Sequence, residues 1–504
     1  MLDIIMLDQI QNLYNFMYKD GILTITDFQK GIAKSPVLGN GHIVNADIFE
    51  TQGLLKLNKK IVDNTWDYTP TIDSLPVAFL KLPEYSNQMI LLDNGKLIGT
   101  GGGLFGDYFT QGFDLVEWNG YLLASGYSGT EGIIRIGLLN TGGSQETLTG
   151  WTVAITGLAN APIYFCKGKD GYLYFTNGYK VGRITAISIP TTVCVATYSD
   201  NVLDLPQEEE AVSIVELGSK LLIGTQSSKI NPKYITQANI YPWDMVSSSY
   251  SLPVSIHENG VNTMISKDNL VYVSAGLNGN IYVTNGTSYR LFTTLKTSKK
   301  DRYGSTSYVN KNAISFNKQG RLLIGTSTFS DSTPNTTTHQ GVWEIDISTG
   351  DNHLAYTVPS GEYGQTYSIE IGYIYSYNEN ISFGYKDNTT YNTCASNDRL
   401  QSLCSFESNL FITGDYQNKK TFNELQWLFV KPLQTGQSIK IYYRNGLEDT
   451  WTLIHTSTSD HVGKYSTIDK AKIANSEVIQ IKIELLNTDN SVLVSPELIR
   501  VFIK

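Results

Sequence analysis

The sequence predicts an all-β protein: a six- or seven-bladed β-propeller with an extended N-terminal arm and a C-terminal β-sandwich. Three observations predict this fold: a short apolar motif repeats along the middle of the chain, longer alternating strands follow it, and the composition lacks helical or disordered character. Of the 504 residues, 17% are charged and 11% are aromatic, with 44 Gly and 32 Tyr. A disordered chain would be rich in charge and poor in aromatics, and a coiled coil would be dominated by Ala, Glu, Lys, Leu and Arg.

The repeated motif is a turn residue followed by a short apolar or aromatic run that ends in Gly, Ser or Thr. Its copies begin at Asn94, Gly120, Gly171, Ser219, Asn269, Gly320 and, more weakly, Asn380. Most copies lie about 50 residues apart, a period typical of propeller blades. A small antiparallel sheet cannot bury both faces alone, so such sheets pack face to face around a ring. The first two copies are closer together, so either the first blade is short or one copy is an outer strand.

The two ends of the chain differ from this middle region. Residues 2–18 have apolar positions near helical spacing and predict a short helix, and residues 22–64 predict an extended arm. From Phe422 the strands lengthen and alternate, which is typical of a half-exposed sandwich. Segment 407–415 predicts either the last strand of the final blade or a strand that closes the ring. The predicted domains are therefore the arm at 1–61, the propeller at 62–418 and the sandwich at 419–504.

Motifs for catalysis are missing, so the sequence predicts a protein that is not an enzyme and has no cofactor or metal. The six His form no HExxH or Cys/His metal spacing, and no GxSxG elbow or P-loop is present. Gly101, Gly103 and Gly106 satisfy GxGxxG, but no helix is predicted after them. Glu208–Glu210 predicts a solvated loop between blades. A pair of carboxylates for glycoside hydrolysis remains an alternative, because the sequence does not show which residues of different blades lie close together.

The charge and the cysteines of the sequence indicate which partners and which cellular compartment to expect. The net charge is −9 and no stripe of Lys and Arg is visible, so no tight DNA-binding surface is predicted. The four Cys have no CxxC spacing and predict buried free thiols in a reducing cytoplasm. No run of apolar residues is long enough to span a membrane, and the first residues do not resemble a secretory signal.

Aromatic residues raise a second possibility, which is that the protein binds a glycan or receptor. Residues 363–391 are rich in Tyr, which suits sugar stacking but equally suits packing within a blade or a subunit interface. In the predicted sandwich, the candidate stacking residues are Trp427, Tyr443 and Trp451.

Residues 27–60 are the most distinctive part of the chain. They resemble the N-terminal arm of tailed-bacteriophage virion proteins that carry a β-propeller, in which a G-I-x-x-S-P-x-x-G start precedes N-x-D-I and G-x-L-K-x-N strands. The matching residues are Gly31, Ile32, Ser35, Pro36, Gly39, Asn45, Asp47, Ile48, Gly53, Leu55, Lys56 and Asn58. Gln52 stands where a Pro is common. The candidate assembly residues are Gly31, Ile32, Ser35, Pro36, Asn45, Asp47, Leu55 and Lys56.

The resemblance implies a structural virion protein of the tail or neck, a nozzle or hub subunit in a ring around the DNA exit channel. It implies a cyclic homo-oligomer, for example a hexamer. The implied partners are adaptor, portal or tail-fibre proteins, and the implied place of assembly is the host bacterial cytoplasm. DNA would pass without tight binding, since an acidic lining repels phosphates. Two alternatives remain: a receptor- or glycan-binding tail protein, and a propeller glycoside hydrolase.

Overall fold

The computed structural model describes most of the chain as β-structure. The described residues are 16–19, 22–25, 28, 42–50, 54–63, 72–81, 88–99, 103–139, 148–190, 193–227, 237–295, 307–328, 340–359, 369–387, 390–408, 411–412, 424–446, 449–458, 462–465 and 478–503. Within these ranges the regular elements are all strands, which confirms the predicted all-β class. The predicted helix at 2–18 lies mostly outside the described residues, but its last residues belong to a strand instead.

The first strands, in chain order, are β1 (Phe16–Lys19), β2 (Ile22–Ile25), β3 (His42–Val44), β4 (Ala46–Asp47), β5 (Lys56–Leu57) and β6 (Lys59–Asp63). The next are β7 (Pro76–Lys81), β8 (Gln88–Leu92), β9 (Lys96–Gly99), β10 (Gly103–Asp107), β11 (Gln111–Trp118), β12 (Tyr121–Tyr127), β13 (Gly132–Leu139) and β14 (Leu148–Leu158). These are followed by β15 (Phe165–Lys167), β16 (Leu173–Asn177), β17 (Lys180–Ser188), β18 (Val195–Asp204), β19 (Glu209–Leu217), β20 (Lys220–Ser227), β21 (Ala238–Trp243) and β22 (Val254–Ile256).

The chain continues with β23 (Val261–Lys267), β24 (Leu270–Ala275), β25 (Asn280–Thr284), β26 (Tyr289–Thr294), β27 (Ser307–Tyr308), β28 (Ile314–Phe316), β29 (Leu322–Thr328), β30 (Gly341–Ile345) and β31 (Asn352–Tyr356). The remaining strands are β32 (Ile369–Tyr377), β33 (Asn380–Asp387), β34 (Thr390–Leu400), β35 (Leu403–Glu407), β36 (Phe411–Ile412), β37 (Leu425–Phe429), β38 (Gln437–Arg444), β39 (Thr452–Ser457), β40 (Val462–Tyr465), β41 (Val478–Asn487) and β42 (Leu498–Ile503).

The chain separates into two compact units. The propeller unit contains residues 63–340 and 364–395, and the second unit contains 1–62, 341–363 and 396–504. The second unit therefore combines three segments that are far apart in sequence. The domain ranges predicted from the sequence, 1–61, 62–418 and 419–504, remain predictions.

The described residues form a β-propeller with six four-stranded blades, which confirms the predicted propeller, whereas the extended N-terminal arm and the C-terminal sandwich remain predictions. The strand orders of the blades are β7 to β10, β11 to β14, β15 to β18, β19 to β22, β23 to β26, and β32-β33-β34-β6. Strands β27 and β28 both pair with β29, and this group lies between the fifth and sixth blades, because β28 contacts both β23 and β32. The ring closes where β32 contacts β7.

The repeated motif marks a fixed strand in most blades. The copies from Gly120 onward form the second strand of their sheets, whereas the Asn94 copy forms β9, the third strand of the first blade. The Asn94 and Gly120 copies are close together in sequence because the Asn94 copy is an outer strand of its blade, which is one of the two predicted alternatives. The turns have the conformation that the sequence predicts: Asn119 and Gly120 have φ values of 51° and 80°, the left-handed pair that a tight hairpin requires.

Apolar residues on the strands pack between neighbouring blades. One cluster joins Trp118 and Ile134 of the second blade to Phe165 and Phe175 of the third. Similar clusters join the first blade to the second, the third to the fourth, and the fourth to the fifth. Each of these blades therefore buries a face against its neighbour, which is the physical reason for the ring.

Two blades each carry a partly buried polar cluster that the sequence did not predict. Glu209 accepts hydrogen bonds from Asn239 Nδ2 and Tyr241 OH, each at 2.7 Å. The predicted solvated loop is therefore wrong for Glu209 and Glu210, which lie on β19, whereas Glu208 is exposed in the turn before that strand. In the next blade, Glu258 accepts from Asn280 Nδ2 and Tyr282 OH, again at 2.7 Å.

The second unit has two sheets around one core. In one sheet the order is β1-β2-β42-β37-β40, and in the other β31, β3, β35, β41, β38 and β39 are successive neighbours. The core combines residues from both ends of the chain, including Phe28, Ile43, Leu55, Trp427 and Ile481. The described part of the predicted arm is thus built into a core. Segment 407–415 supplies β36 and the end of β35, which pair with β41, so neither predicted blade role is correct.

Candidate functional site

A cavity of about 310 Å³ lies where the inner strands of the propeller converge. We call it the axial cavity. Polar and apolar groups both line it, and the polar groups supply the larger part of its exposed lining. The lining residues are Ala78, Phe79, Asp114, Leu115, Cys166, Ile214, Val215, Met264, Ile265, Ser266, Lys311, Asn312, Ile314, Tyr373 and Ile374.

Asp114 is the carboxylate of the axial cavity. It lies on β11 and is buried. Its Oδ2 accepts a hydrogen bond from the backbone N of Phe165 at 2.9 Å, and its Oδ1 accepts from the backbone N of Leu115 at 2.9 Å. Asn312 Nδ2 also donates to Oδ1, at 3.3 Å. Burial raises the pKa of Asp114 above its usual value, and these donors with Lys311 oppose the shift.

Asn312 fixes the segment that crosses the cavity. Its Nδ2 lies 3.0 Å from the backbone O of Val77, and its backbone O accepts from the N of Ile374 at 2.9 Å. Asn312 therefore contacts strands of three blades: β7, β11 and β32. The neighbouring residue Lys311 is held by its own backbone O, which accepts from Thr263 Oγ1 at 2.6 Å.

Lys311 brings a cation into the axial cavity. Its Nζ lies 6.0 Å from the centre of the Tyr164 ring, and among the described residues no carboxylate lies within 4.0 Å of it. Burial lowers the pKa of Lys311, while the nearby Asp114 and Cys166 oppose the shift. Cys166, on β15, completes the set: burial raises the pKa of its thiol to about 12, so the group is neutral at pH 7.

The cavity thus combines one amine, one carboxylate, one neutral thiol and a wall of mixed polar and apolar character. No group of three His, Cys, Asp or Glu side chains that could hold a metal occurs among the residues that the structure describes. The arrangement suits the binding of a small molecule through one charged contact. Sequence reasoning missed it, because Asp114, Cys166 and Lys311 lie on separate blades and no motif links them.

The candidate assembly residues divide into two groups. Gly31, Ile32, Ser35 and Pro36 lie outside the described residues, whereas Asn45, Asp47, Leu55 and Lys56 lie in the second unit. Asn45 has a φ of 55° and exchanges hydrogen bonds of 3.0 Å and 3.1 Å with Thr357. The Oδ1 of Asp47 accepts from the backbone N of Phe49 and of Glu50, which forms a tight turn.

The other two assembly residues contact the C-terminal strands. Leu55 is fully buried and pairs with Leu498, with two backbone hydrogen bonds of 3.0 Å. Lys56 Nζ lies 3.0 Å from Glu50 Oε2 and 3.1 Å from Glu497 Oε1. Burial opposes the charge of Lys56, but the hydrogen bonds with both glutamates raise its pKa above the usual value. These residues connect the start of the chain to its end.

The candidate stacking aromatics are mostly inaccessible. Trp427, on β37, is only 2% exposed and stacks on the His455 ring with centroids 5.0 Å apart. Tyr443, on β38, is 6% exposed. Trp451 is half-buried, and Arg444 Cζ lies 4.4 Å from its ring centre. Of the three rings, only Trp451 has appreciable exposure.

The glycine-rich segment has no phosphate-binding geometry among its described residues. Gly103 and Gly106 lie on β10, and β11 follows at Gln111. A strand therefore stands where a phosphate-binding motif would need a helix N-terminus. The described residues also contain no helix long and apolar enough to cross a membrane.

No family model matches the sequence, and no curated protein matches it. Among solved structures, the chain is similar to Sqt1 from Saccharomyces cerevisiae (10% identity, 66% of this chain and 99% of that chain, TM-score 0.41). It is also similar to the Dos1 propeller (12% identity, 67% of this chain and 94% of that chain, TM-score 0.40).

A further similar structure is a putative oxidoreductase (glucose dehydrogenase) from Thermus thermophilus. Its identity is 14%, with 54% of this chain and 94% of that chain covered, and its TM-score is 0.35. At such low identities and TM-scores, none of these likenesses bears on what this chain binds or does.

Proposed function

We propose that the protein is a structural component of a tailed-phage virion, a subunit of the tail nozzle or hub that forms a ring around the DNA exit channel. The observation that carries the proposal is the position of the residues shared with virion arms. Asn45, Asp47, Leu55 and Lys56 are all built into the second unit, where they contact strands from the middle and the end of the chain. The spacing of these four residues in the sequence therefore follows from their contacts within the second unit.

This arrangement suits a subunit that carries mechanical load. The start of the chain is held by Leu55–Leu498 backbone pairing and by the Lys56–Glu497 ion pair. The Lys56 side chain is 11% exposed and the Glu497 side chain 30%, so the ion pair is only partly shielded from water and adds a modest contribution to the backbone pairing. A pull on the N-terminal segment is therefore transmitted to the last strands. In this proposal the second unit is the assembly element and the propeller is the scaffold that spaces it.

Charge supports a conduit role in the same proposal. The net charge is −9, so a ring of these subunits repels DNA phosphates on average and lets the duplex slide. The expected partners are further copies of the chain and the adaptor, portal or tail-fibre proteins of the particle. The expected location is the tail or neck of the virion, after assembly in the bacterial cytoplasm.

The alternative of a receptor- or glycan-binding tail protein has less support. Two of its three candidate rings, Trp427 and Tyr443, are buried, so a sugar cannot stack on them without rearrangement. Trp451 already has Arg444 and Lys482 near its ring. The glycoside hydrolase alternative has no pair of carboxylates in the axial cavity, where Asp114 is the one acidic lining residue.

The test is to image the purified full-length protein by negative-stain electron microscopy, alone and with candidate adaptor or portal proteins from the same phage. The proposal expects rings of about six copies when the neighbours are present. Specific binding of the purified protein to host cells, without ring formation, would contradict it in favour of the receptor alternative.

A further inference from the structure

Three side chains meet on the outer part of the propeller, where the first and second blades pack together. Arg135 lies on β13 and Trp151 on the outer strand β14, and both border the ring of Tyr108, which follows β10 of the first blade. The Arg135 Cζ lies 4.8 Å from the centre of this ring, and the centre of the Trp151 ring lies 5.4 Å from it. We call these three residues the outer site.

Strand register and one glycine build this arrangement. Arg135 pairs with Val153, and Trp151 precedes Val153 by two positions, so Arg135 and Trp151 project from the same face of the blade. On the first blade, Gly106 makes room for the Tyr108 ring, because a Cβ at Gly106 would lie 2.6 Å from the Cζ of that ring. A glycine of the glycine-rich segment therefore helps to place the aromatic ring that the other two side chains contact.

Two N–H donors of the outer site have no acceptor. The Nε of Arg135 and the Nε1 of Trp151 are buried, and neither has a hydrogen-bond partner among the described residues. Burial lowers the pKa of Arg135, only Tyr108 opposes the shift, and no described Asp or Glu lies within 4.0 Å of the guanidinium. A buried donor without an acceptor is unfavourable. A ligand that brings oxygen atoms would therefore stabilise both groups.

The third blade shows that an unpaired Nε does not make such a site by itself. Arg183, on β17, also has a buried Nε without a partner among the described residues, and its Cζ lies 5.1 Å from the centre of the Tyr172 ring. There, however, Tyr174 OH donates to Asp170 Oδ2, and the charges of Asp170 and Arg183 both act on that hydroxyl. An incoming anion would meet the Asp170 carboxylate, whereas no described acid stands beside Arg135.

The groups of the outer site indicate the chemistry of its ligand. A planar guanidinium matches a carboxylate, which accepts two parallel hydrogen bonds. A neutral indole N–H matches a neutral oxygen such as a hydroxyl, and the two aromatic rings supply apolar surface for C–H groups. All three side chains are half-buried, so a ligand can reach them from solvent. A carboxylate, hydroxyls and C–H groups occur together in an acidic sugar.

We propose that the outer site binds an acidic sugar, with its carboxylate on the Arg135 guanidinium, a hydroxyl on Trp151 Nε1 and its C–H groups against the aromatic rings. A single arginine matches a single negative charge, which favours a carboxylate over a phosphate group that carries nearly two. A neutral sugar, or a carboxylate without hydroxyls, makes only part of these contacts. This binding function is independent of the proposed virion role and does not require it.

The experiment titrates the full-length protein with glucuronate, glucose and acetate and follows binding by ligand-observed NMR. Glucuronate should bind saturably with a Kd of about 1 mM, as expected for a ligand of this size. Glucose and acetate should each bind at least about tenfold more weakly, because each lacks part of the contacts. Arg135→Met should weaken glucuronate binding by about tenfold. Arg290→Met is the matched control, because it removes the same charge from an exposed position on β26.

Two further measurements keep the test decisive if Arg135→Met does not fold. Trp151→Phe retains an aromatic ring but removes the N–H, and it should weaken glucuronate binding by about fivefold. The indole N–H signal that this variant lacks identifies Trp151 in the NMR spectrum of the wild-type protein, and glucuronate should shift that signal. Unchanged affinity in either variant, equal binding of glucuronate and of glucose or acetate, or an unshifted Trp151 signal would each overturn the proposal.

Discussion

The carboxylate of Asp114 accepts a hydrogen bond from the backbone N of Phe165 at 2.9 Å, and the two residues belong to neighbouring blades. A single buried side chain thus joins the second blade to the third, and through Asn312 it also joins the segment before β28. Ser125 Oγ adds a second buried polar contact between these blades by donating to the backbone O of Ile163 at 2.7 Å. Buried polar groups of this kind are costly when one partner is removed.

Asp114→Ala should lower the free energy of unfolding by about 3 kcal/mol, because it removes the carboxylate that accepts from the buried backbone N of Phe165 and of Leu115. Urea denaturation followed by intrinsic fluorescence measures the change. Asp107→Ala is the control, since Asp107 is exposed on β10 and its loss should cost less than about 0.5 kcal/mol. Equal effects of the two substitutions would show that the Asp114 contacts do not hold the blades together.

Gly372 marks the place where the ring closes. A Cβ at this position would lie 2.0 Å from the backbone O of Pro76, and backbone cannot move aside as a flexible side chain can. Gly372→Ala should therefore destabilise the propeller by about 2 kcal/mol through overpacking. The control is Gly446→Ala, because the nearest atom to a Cβ there is 3.5 Å away. Thermal denaturation midpoints compare the two, and a Gly372→Ala variant as stable as the control would refute the close approach.

The hydrogen bonds of Glu258 predict that its substitution by Ala and by Gln will lower the stability of the protein by different amounts. Glu258→Ala removes the acceptor shared by Asn280 Nδ2 and Tyr282 OH and should cost about 2 kcal/mol of stability. Glu258→Gln retains an acceptor oxygen and should cost less than half of that. Urea denaturation of both variants measures the difference. If Gln is as damaging as Ala, the charge and not the hydrogen-bond geometry stabilises this blade.

The cysteines should react slowly in the native protein. Cys166, Cys194, Cys394 and Cys404 are all free, and burial raises the pKa of each thiol, to about 12 for Cys166 and Cys404. Since the thiolate is the reactive form, little of it exists at pH 8. A chromogenic disulfide reagent should detect four thiols in denatured protein and almost none in the first minutes with native protein. Cys166 is half-buried and the other three are buried, so rapid reaction of Cys194, Cys394 or Cys404 at pH 8 would contradict their burial.

Local features of the sequence predicted much of the propeller. The motif copies at Gly120, Gly171 and Ser219 each begin a second strand of a blade, and the Asn119-Gly120 pair makes the expected left-handed turn. These features depend on residues within one hairpin. Turn chemistry and apolar runs act locally, so one sequence is enough to read them.

Contacts between distant residues could not be predicted in this way. Asp114 and Asn312 meet at the axial cavity although 198 positions separate them. Leu55 pairs with Leu498 for a reason that is visible only once both ends share a core. The partners of Glu209 were also missed, because three consecutive acids look like a solvated loop when their neighbours across the sheet are unknown.

The proposed virion role is tested most directly by a mass-spectrometric inventory of gradient-purified virions. A nozzle or hub subunit should give peptides of this chain at a constant ratio to the portal protein, with about six copies for each ring. These peptides should remain after high-salt washing, as expected of a built-in subunit. Absence of the chain from infectious particles that contain their other tail proteins would contradict the structural virion role.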